Sequence, residues 1–225
     1  MAVGIMVAGT GCTQPTQPVV TNLPDPYTIE PAPYSPPPTP RIEQPRPEPP
    51  AARPWEGWLP PGGIRRRWNA IIIHHTDSEI GSFRDIDQWH RNGNGWEHGC
   101  GYHFVIGNGS RSGDGQVEPS TRWRQQIIGA HTRLAVAYAR KKGVPPNYYN
   151  ENGIGIVLVG NFNRTQPSPR QMRSLVQLVS FLMNQCQIPE SRIYTHGGAG
   201  GVDQTECPGR NFSLYQFKLM LRGQR

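Results

Sequence analysis

Two histidines and one cysteine in the C-terminal two-thirds of the chain are of the residue types that bind zinc. His74 closes an apolar run at residues 70–76 (AIIIHHT), whereas His196 and Cys207 lie far downstream. Two imidazoles and one thiolate form a three-ligand set, and a catalytic zinc site keeps its fourth position open for water. The wide spacing excludes a zinc finger, whose ligands come in short pairs. The pattern therefore indicates a metallohydrolase.

Five sequence blocks lie along the same part of the chain, and His74 is in the first and Cys207 in the last. They occur in the order IIIHHT (71–76), GYHFVIG (101–107), GAHT (129–132), GIGIVLVGN (153–161) and TECPG (205–209). Together they resemble the zinc-dependent N-acetylmuramoyl-L-alanine amidases, the family that includes phage T7-type lysozyme and the peptidoglycan recognition proteins. The similarity extends from Arg65 to Leu221. It implies a central mixed sheet flanked by helices, with zinc in a groove on one side.

The resemblance implies that His74, His196 and Cys207 hold a Zn²⁺ cofactor. Neighbouring residues of a strand point to opposite faces, so only one of His74 and His75 can face the groove. The family places its ligand at the first histidine of the pair. His75 is then expected to be packed in the interior or to contact a metal ligand without binding the metal itself.

Three further residues match functional positions of the family. Tyr102 matches a tyrosine beside the zinc-bound water, and Thr205 matches a residue near the developing oxyanion; both are predicted to be catalytic. His131 matches a groove-lining histidine, which is expected to bind substrate. Tyr102 and Thr205 each have an ordinary structural alternative, since a strand tyrosine usually packs and a turn threonine often caps an amide.

The connection between the last two predicted ligands departs from the family pattern. His196 and Cys207 are separated by a longer segment than in close relatives, and residues 197–201 (GGAGG) fill part of it. Glycine tolerates backbone conformations that other residues avoid, so such a loop can bulge without moving its ends. The departure therefore affects substrate contacts of the loop more than the metal ligands.

The resemblance implies hydrolysis of the amide between N-acetylmuramic acid and the L-alanine of the peptidoglycan stem peptide. The alternative is a module that recognises peptidoglycan without cutting it, as in relatives that typically carry serine at the cysteine position. Cys207 is present here, together with both histidines. An enzyme is therefore the favoured interpretation.

The charge distribution favours a polyanionic partner. After Gly62 the chain carries 20 of its 23 basic and 11 of its 16 acidic residues, an excess of nine positive charges. A basic surface attracts polyanions, which include nucleic acids and also the carboxylates and teichoic acids of cell walls. No helix-turn-helix, aromatic RNA-binding motif or zinc finger is recognisable, so peptidoglycan or muropeptides are expected and nucleic acid is not. We expect a monomer.

The prolines divide the chain into a linker and one domain. Of the 24 prolines, 17 lie between Pro15 and Pro61. Such a segment favours extended polyproline conformations over a packed core. We expect a disordered linker at residues 13–62 and one catalytic domain at residues 63–225, a normal size for one core.

The first twelve residues are small and apolar and end at Cys12. They resemble the end of a bacterial lipoprotein signal, whose cysteine becomes the lipidated N-terminus, although Gly9 stands where leucine is usual and no basic segment precedes it. A start codon further upstream would explain the missing basic segment. We expect a cell-envelope or secreted location; export by another route and a cytosolic location are the alternatives.

Apolar runs and helix signals alternate through the domain, which predicts an α/β fold. Strands are predicted at residues 69–74, 102–106, 154–159 and 192–195. Helices are predicted after Ser82, after Ser168-Pro169 and at residues 213–221. Cys100 and Cys186 can pair in an oxidising compartment, but Cys186 falls on the apolar face of a helix and is better explained as a core residue.

Overall fold

The computed structural model describes residues 54–200 and 205–224. The predicted signal segment at 1–12, with Cys12, and most of the predicted linker lie outside the described residues. The strands are β1 (Ala70–His75), β2 (Phe104–Ile106), β3 (Val117–Pro119), β4 (Gly153–Leu158) and β5 (Ile193–Thr195). The helices are α1 (Phe83–Asn94), α2 (Thr121–Gln125), α3 (Val136–Lys142), α4 (Tyr148–Asn152), α5 (Pro169–Cys186) and α6 (Leu214–Arg222). Short 3-10 helices lie at Pro54–Gly57 and Glu190–Arg192.

The five strands form one mixed sheet in the order β3-β2-β4-β1-β5. Strand β1 is parallel to both of its neighbours, β4 and β5. Strand β2 is parallel to β4, and β3 is antiparallel to β2 at the edge. The prediction of a central mixed sheet flanked by helices is therefore confirmed.

Strand β1 is buried along its whole length. Ile71 and Ile73 belong to the main apolar core, which includes the buried face of α5. His74 pairs with Val157, and Val157 belongs to a separate small cluster with Val105. Because residues paired across strands lie on the same face, His74 is on the face opposite the main core. Coverage of both faces explains why β1 is a continuous apolar run and not an alternating one.

The longest helix, α5, begins with a capping box. The Ser168 hydroxyl accepts a hydrogen bond from the backbone N–H of Gln171 (3.0 Å), and the Gln171 side chain accepts one from the Ser168 N–H (3.1 Å). These bonds satisfy backbone donors that lack a partner within the helix. The Gln171 amide also donates to the carbonyl of Val159 (2.8 Å), which connects the start of the helix to the end of β4.

Replacing Ser168 with alanine is expected to lower the free energy of unfolding by about 1 kcal/mol, because the backbone N–H of Gln171 loses its acceptor. Urea denaturation measures this change. Gln177→Ala, at an exposed position of the same helix, is the control and should change stability by less than about 0.5 kcal/mol. Equal stability of Ser168→Ala and the wild type would contradict the capping role.

Several short elements are absent from the sequence-based assignment. Strand β3 and helices α2, α3 and α4 have three to seven residues each, too few to produce a clear apolar period. Strand β2 begins at Phe104, two residues after the predicted start at Tyr102. Packing also extends to the N-terminal side of residue 63, since Trp58 is buried in the core and its carbonyl accepts a hydrogen bond from Trp123 Nε1.

Cys100 and Cys186 are free thiols, and Cys186 packs against the main core as the helical pattern indicates. Burial raises the pKa of both thiols to about 12. Among the described helices, none is long and apolar enough to cross a membrane.

Candidate metal centre

The chain brings His74, His196 and Cys207 together at one end of the sheet. One ligand atom from each residue can be chosen so that all three lie within 4.8 Å of one another. We call these three residues the candidate centre. Because β1 and β5 are parallel neighbours, their C-terminal ends meet, and the His196 N–H donates to the carbonyl of Ile73 (3.0 Å). The sheet therefore positions both histidines.

Cys207 is held against the end of β1 by backbone hydrogen bonds. Its sulfur accepts a bond from the His75 N–H (3.4 Å) and lies 3.8 Å from Nδ1 of His74. Its carbonyl accepts a bond from the Gly197 N–H (2.9 Å). A side chain at Gly197 would collide with the Thr205 carbonyl, so glycine is needed for this close approach. Residues 201–204, in the connection between His196 and Cys207, lie outside the described residues.

The two adjacent histidines of β1 point to opposite faces, as the strand geometry predicts. The ring of His75 accepts a hydrogen bond at Nδ1 from the N–H of Phe162 (3.1 Å) and lies beside the Phe162 ring. His75 is thus a packed residue that also contacts Cys207 through its backbone. His74 alone of the pair contributes its ring to the candidate centre.

Burial keeps the donor atoms of the candidate centre uncharged. Burial, followed by the nearby His131 and His196 rings, holds the pKa of His74 well below its usual value. Burial also lowers the pKa of His196 to about 4. Both imidazoles are therefore neutral at pH 7 and keep a nitrogen lone pair. Burial raises the pKa of Cys207 to about 12, so metal binding would have to displace the thiol proton.

The donor set fits a divalent metal ion. Nε2 of His196 is one of four buried polar side-chain atoms without a hydrogen-bond partner among the described residues. Buried polar atoms are normally paired, so an orphaned imidazole nitrogen beside a second imidazole and a thiol needs an explanation. Two neutral imidazoles and one sulfur match the ligand chemistry of zinc.

Two hydroxyl-bearing residues adjoin the candidate centre. The ring of Tyr102 lies 5.1 Å from the ring of His74, and burial raises the pKa of its phenol, which therefore keeps its proton. Thr205 Oγ1 accepts a hydrogen bond from the Cys207 N–H (3.1 Å). A bond of this kind is what a purely structural role of Thr205 as a cap of a local amide would require. Because the Thr205 oxygen is the acceptor, its hydroxyl can still donate a hydrogen bond to another group.

His131 lies directly against the candidate centre. Its Nδ1 is 3.1 Å from Nε2 of His74, and its side chain is buried. The His131 N–H and the Thr132 N–H both donate to Oδ1 of Asn150, at 2.7 and 2.8 Å. A direct contact of His131 with substrate stays a prediction, whereas its contact with His74 is a feature that the sequence did not indicate.

Asn150 and His90 were also not predicted from the sequence. Asn150 lies in the short helix α4, and no motif connects it to His131. His90 is buried in α1, where its Nδ1 accepts a hydrogen bond from the Gly101 N–H (3.2 Å) and its ring stacks on Trp96 (4.6 Å). The ring of Tyr102 lies 5.9 Å from that of His90. A polar residue on the buried side of α1 is the only sequence signal that could have indicated His90.

Comparisons with known proteins agree on one family. A family profile described as N-acetylmuramoyl-L-alanine amidase matches residues 64–210. Peptidoglycan-recognition protein SC2 of Drosophila simulans is 30% identical over 149 residues, which cover 62% of this chain and 67% of that protein. Peptidoglycan-recognition protein SC1a of Drosophila melanogaster is 29% identical over 155 residues, covering 65% and 71%.

A solved structure supports the same assignment. The N-acetylmuramoyl-L-alanine amidase LysC from Clostridium intestinale matches with a TM-score of 0.54 and 31% sequence identity. The matched region covers 69% of this chain and 86% of that one. The set of similar proteins thus includes both an amidase and proteins named for recognition.

Proposed function

Because this chain belongs to the N-acetylmuramoyl-L-alanine amidase family, we propose that it is a zinc-dependent enzyme of peptidoglycan. The bond cut is the amide between N-acetylmuramic acid and the L-alanine of the stem peptide. The observation that carries the proposal is the convergence of His74, His196 and Cys207, whose ligand atoms lie within 4.8 Å of one another. These residues would hold the ion.

Recognition without cleavage is the second candidate function, because several similar proteins are named for peptidoglycan recognition. A module that only binds has no need of a three-ligand centre with an orphaned imidazole nitrogen. This chain keeps both histidines and the cysteine at one site. The intact donor set therefore supports catalysis over binding alone.

The chemistry that zinc supplies in such a centre is the activation of water and the polarisation of a carbonyl. The chain supplies the neutral donors, since burial keeps His74 and His196 uncharged. Tyr102 keeps its phenolic proton and lies beside His74, where it can orient the attacking water or assist proton transfer. Thr205 can donate a hydrogen bond from its hydroxyl to the tetrahedral oxyanion, and this bond is stronger in the transition state than in the ground state.

The expected substrate determines where the enzyme would act. We place it in the cell envelope or outside the cell, where peptidoglycan is found, with lipidation of Cys12 as one route of attachment. The excess of positive charge after Gly62 supports an anionic polymer as partner. The substrate would be polymeric peptidoglycan or released muropeptides.

Digestion of purified sacculi tests the proposed reaction. The zinc-loaded protein is expected to release free stem peptides that begin with L-alanine, and a chelator should abolish their release because the activated water requires the ion. Mass spectrometry of the soluble products identifies the bond that is cut. Adding zinc back after chelation is the control for irreversible damage.

Three outcomes would contradict the proposal. Binding to sacculi without released peptides would favour the recognition module. Release that persists unchanged in the chelator, or products cut at another bond, would exclude a zinc-dependent amidase.

A further inference from the structure

The rings of His74 and His131 are nearly perpendicular and approach each other through one nitrogen of each ring. Nε2 of His74 and Nδ1 of His131 are 3.1 Å apart, and both side chains are buried. Two ring nitrogens at this distance form a hydrogen bond only when one of them carries a proton. The direction of this bond determines which nitrogen of His74 is left with a lone pair.

The second nitrogen of His131 determines that direction. Nε2 of His131 lies 3.3 Å from the carbonyl oxygen of Gly153, which can only accept. Nε2 of His131 must therefore carry a proton, and a neutral His131 then has an unprotonated Nδ1. That atom accepts from Nε2–H of His74, which leaves Nδ1 of His74 unprotonated. Nδ1 is the atom of His74 that lies 3.8 Å from the Cys207 sulfur.

Thr132 is compatible with the same proton arrangement. Its hydroxyl oxygen lies 2.9 Å from Nδ1 of His131 and 3.4 Å from Nε2 of His74. A threonine hydroxyl can donate one hydrogen bond and accept others. With Nδ1 of His131 unprotonated, the Thr132 hydroxyl donates to the same lone pair as His74, and its oxygen accepts from Nε2–H of His74, so both contacts keep the two tautomers.

The backbone around His131 leaves its ring little freedom. Oδ1 of Asn150 accepts from the N–H groups of both His131 and Thr132, and the Asn150 amide donates to Asn147 (2.7 Å). A Cβ at Gly155 would lie 2.5 Å from the His131 ring, so the glycine of β4 provides the space that the ring fills. The acceptor offered to His74 is thus held in place from several sides.

We propose that His131 is a positioning residue: it accepts a hydrogen bond from Nε2–H of His74 and so leaves Nδ1 of His74 free to bind the metal. This inference rests on the proposed function only in assuming that His74 binds a metal ion. Partners of this kind orient metal-binding histidines and typically contribute about 10- to 100-fold to metal affinity or activity. The role differs from the substrate contact that the family resemblance implies for this position.

Two substitutions of His131 test the roles of its two ring nitrogens one at a time. In His131→Asn, Oδ1 of the asparagine can take the place of Nδ1 and still accept from His74. In His131→Gln, the longer side chain reaches towards Gly153 and leaves His74 with the more distant Thr132 hydroxyl, at 3.4 Å, as its acceptor. Competition with a chromophoric chelator is expected to show zinc affinity about 10- to 100-fold weaker for His131→Gln. The affinity of His131→Asn should stay close to that of the wild type.

His103 provides a matched control for the loss of a buried histidine. Its ring is also buried, lies 5.7 Å from that of His131, and bonds to the N–H of Gly155 and the carbonyl of Ile127. Among the described residues its ring contacts Trp68, Trp123 and His131, but none of the three residues of the candidate centre. His103→Asn should therefore retain zinc affinity, even where thermal unfolding of the metal-free protein shows a loss of stability.

The readouts distinguish this inference from the proposed function, because zinc affinity and the absorption spectrum of the cobalt-substituted protein need no substrate. Wild-type affinity in both His131 variants, with only a raised KM, would overturn the positioning role in favour of substrate contact. Equal weakening in both variants would also overturn it. Long-range ¹H–¹⁵N NMR of the metal-free wild type needs no variant: we expect Nε2–H tautomers for His74 and His131, and Nδ1–H at either would refute the inference.

Discussion

Cys207→Ser is expected to abolish both stoichiometric zinc binding and the release of stem peptides. A serine hydroxyl has nearly the same shape as the thiol, but it does not ionise to an anionic ligand under conditions where a thiol does. The two histidines would remain at the ends of β1 and β5, since their positions depend on strand pairing and not on the cysteine. Two neutral nitrogens alone make a much weaker zinc site.

Elemental analysis of the purified protein and digestion of sacculi measure the two effects. Cys186→Ser is the matched control, because Cys186 is also a free thiol but packs against the main core and not at the candidate centre. It should keep full zinc content and activity. Full zinc occupancy and normal cleavage in Cys207→Ser would show that the ligand assignment is wrong.

The long and regular elements of the fold were predictable from sequence. Strands β1 and β4 are buried on both faces, which requires continuous apolar runs, and the sequence shows such runs. Helix α5 has a serine cap, a proline in its first turn and a sustained apolar period over 18 residues. The short helices α2, α3 and α4 carry no comparable signal, because too few of their residues are buried to impose a period.

The candidate centre was predictable in its members but not in its surroundings. The blocks that contain His74 and Cys207, together with the family match at His196, indicated the predicted ligand set, and the structure brings the three side chains together. The metal-binding role of these three residues and the catalytic roles of Tyr102 and Thr205 stay predictions. The His74–His131 bond joins residues 57 positions apart, and Asn150 acts from a helix that the sequence did not reveal. Such contacts arise from tertiary packing and leave no local pattern.

Thr205→Ala is expected to lower kcat by about 10²- to 10³-fold while zinc remains bound, because the transition state loses one donor to its oxyanion. Thr205→Ser keeps the hydroxyl and should retain most of the activity. The rate of stem-peptide release from sacculi and the zinc content of each variant are the measurements. The expected loss is smaller than that for Cys207→Ser, since a donor assists the reaction whereas a ligand holds the ion.

The alternative role of Thr205 is structural, because its hydroxyl caps the Cys207 N–H at 3.1 Å. Thr195 is the matched control: its hydroxyl caps the Gly198 N–H at 3.0 Å, beside the other downstream candidate ligand, His196. If capping were the whole role of Thr205, Thr205→Ala would weaken zinc affinity and Thr195→Ala would have a similar effect. A fall in kcat at unchanged zinc affinity, seen in Thr205→Ala and absent in Thr195→Ala, would instead assign the Thr205 hydroxyl to the oxyanion.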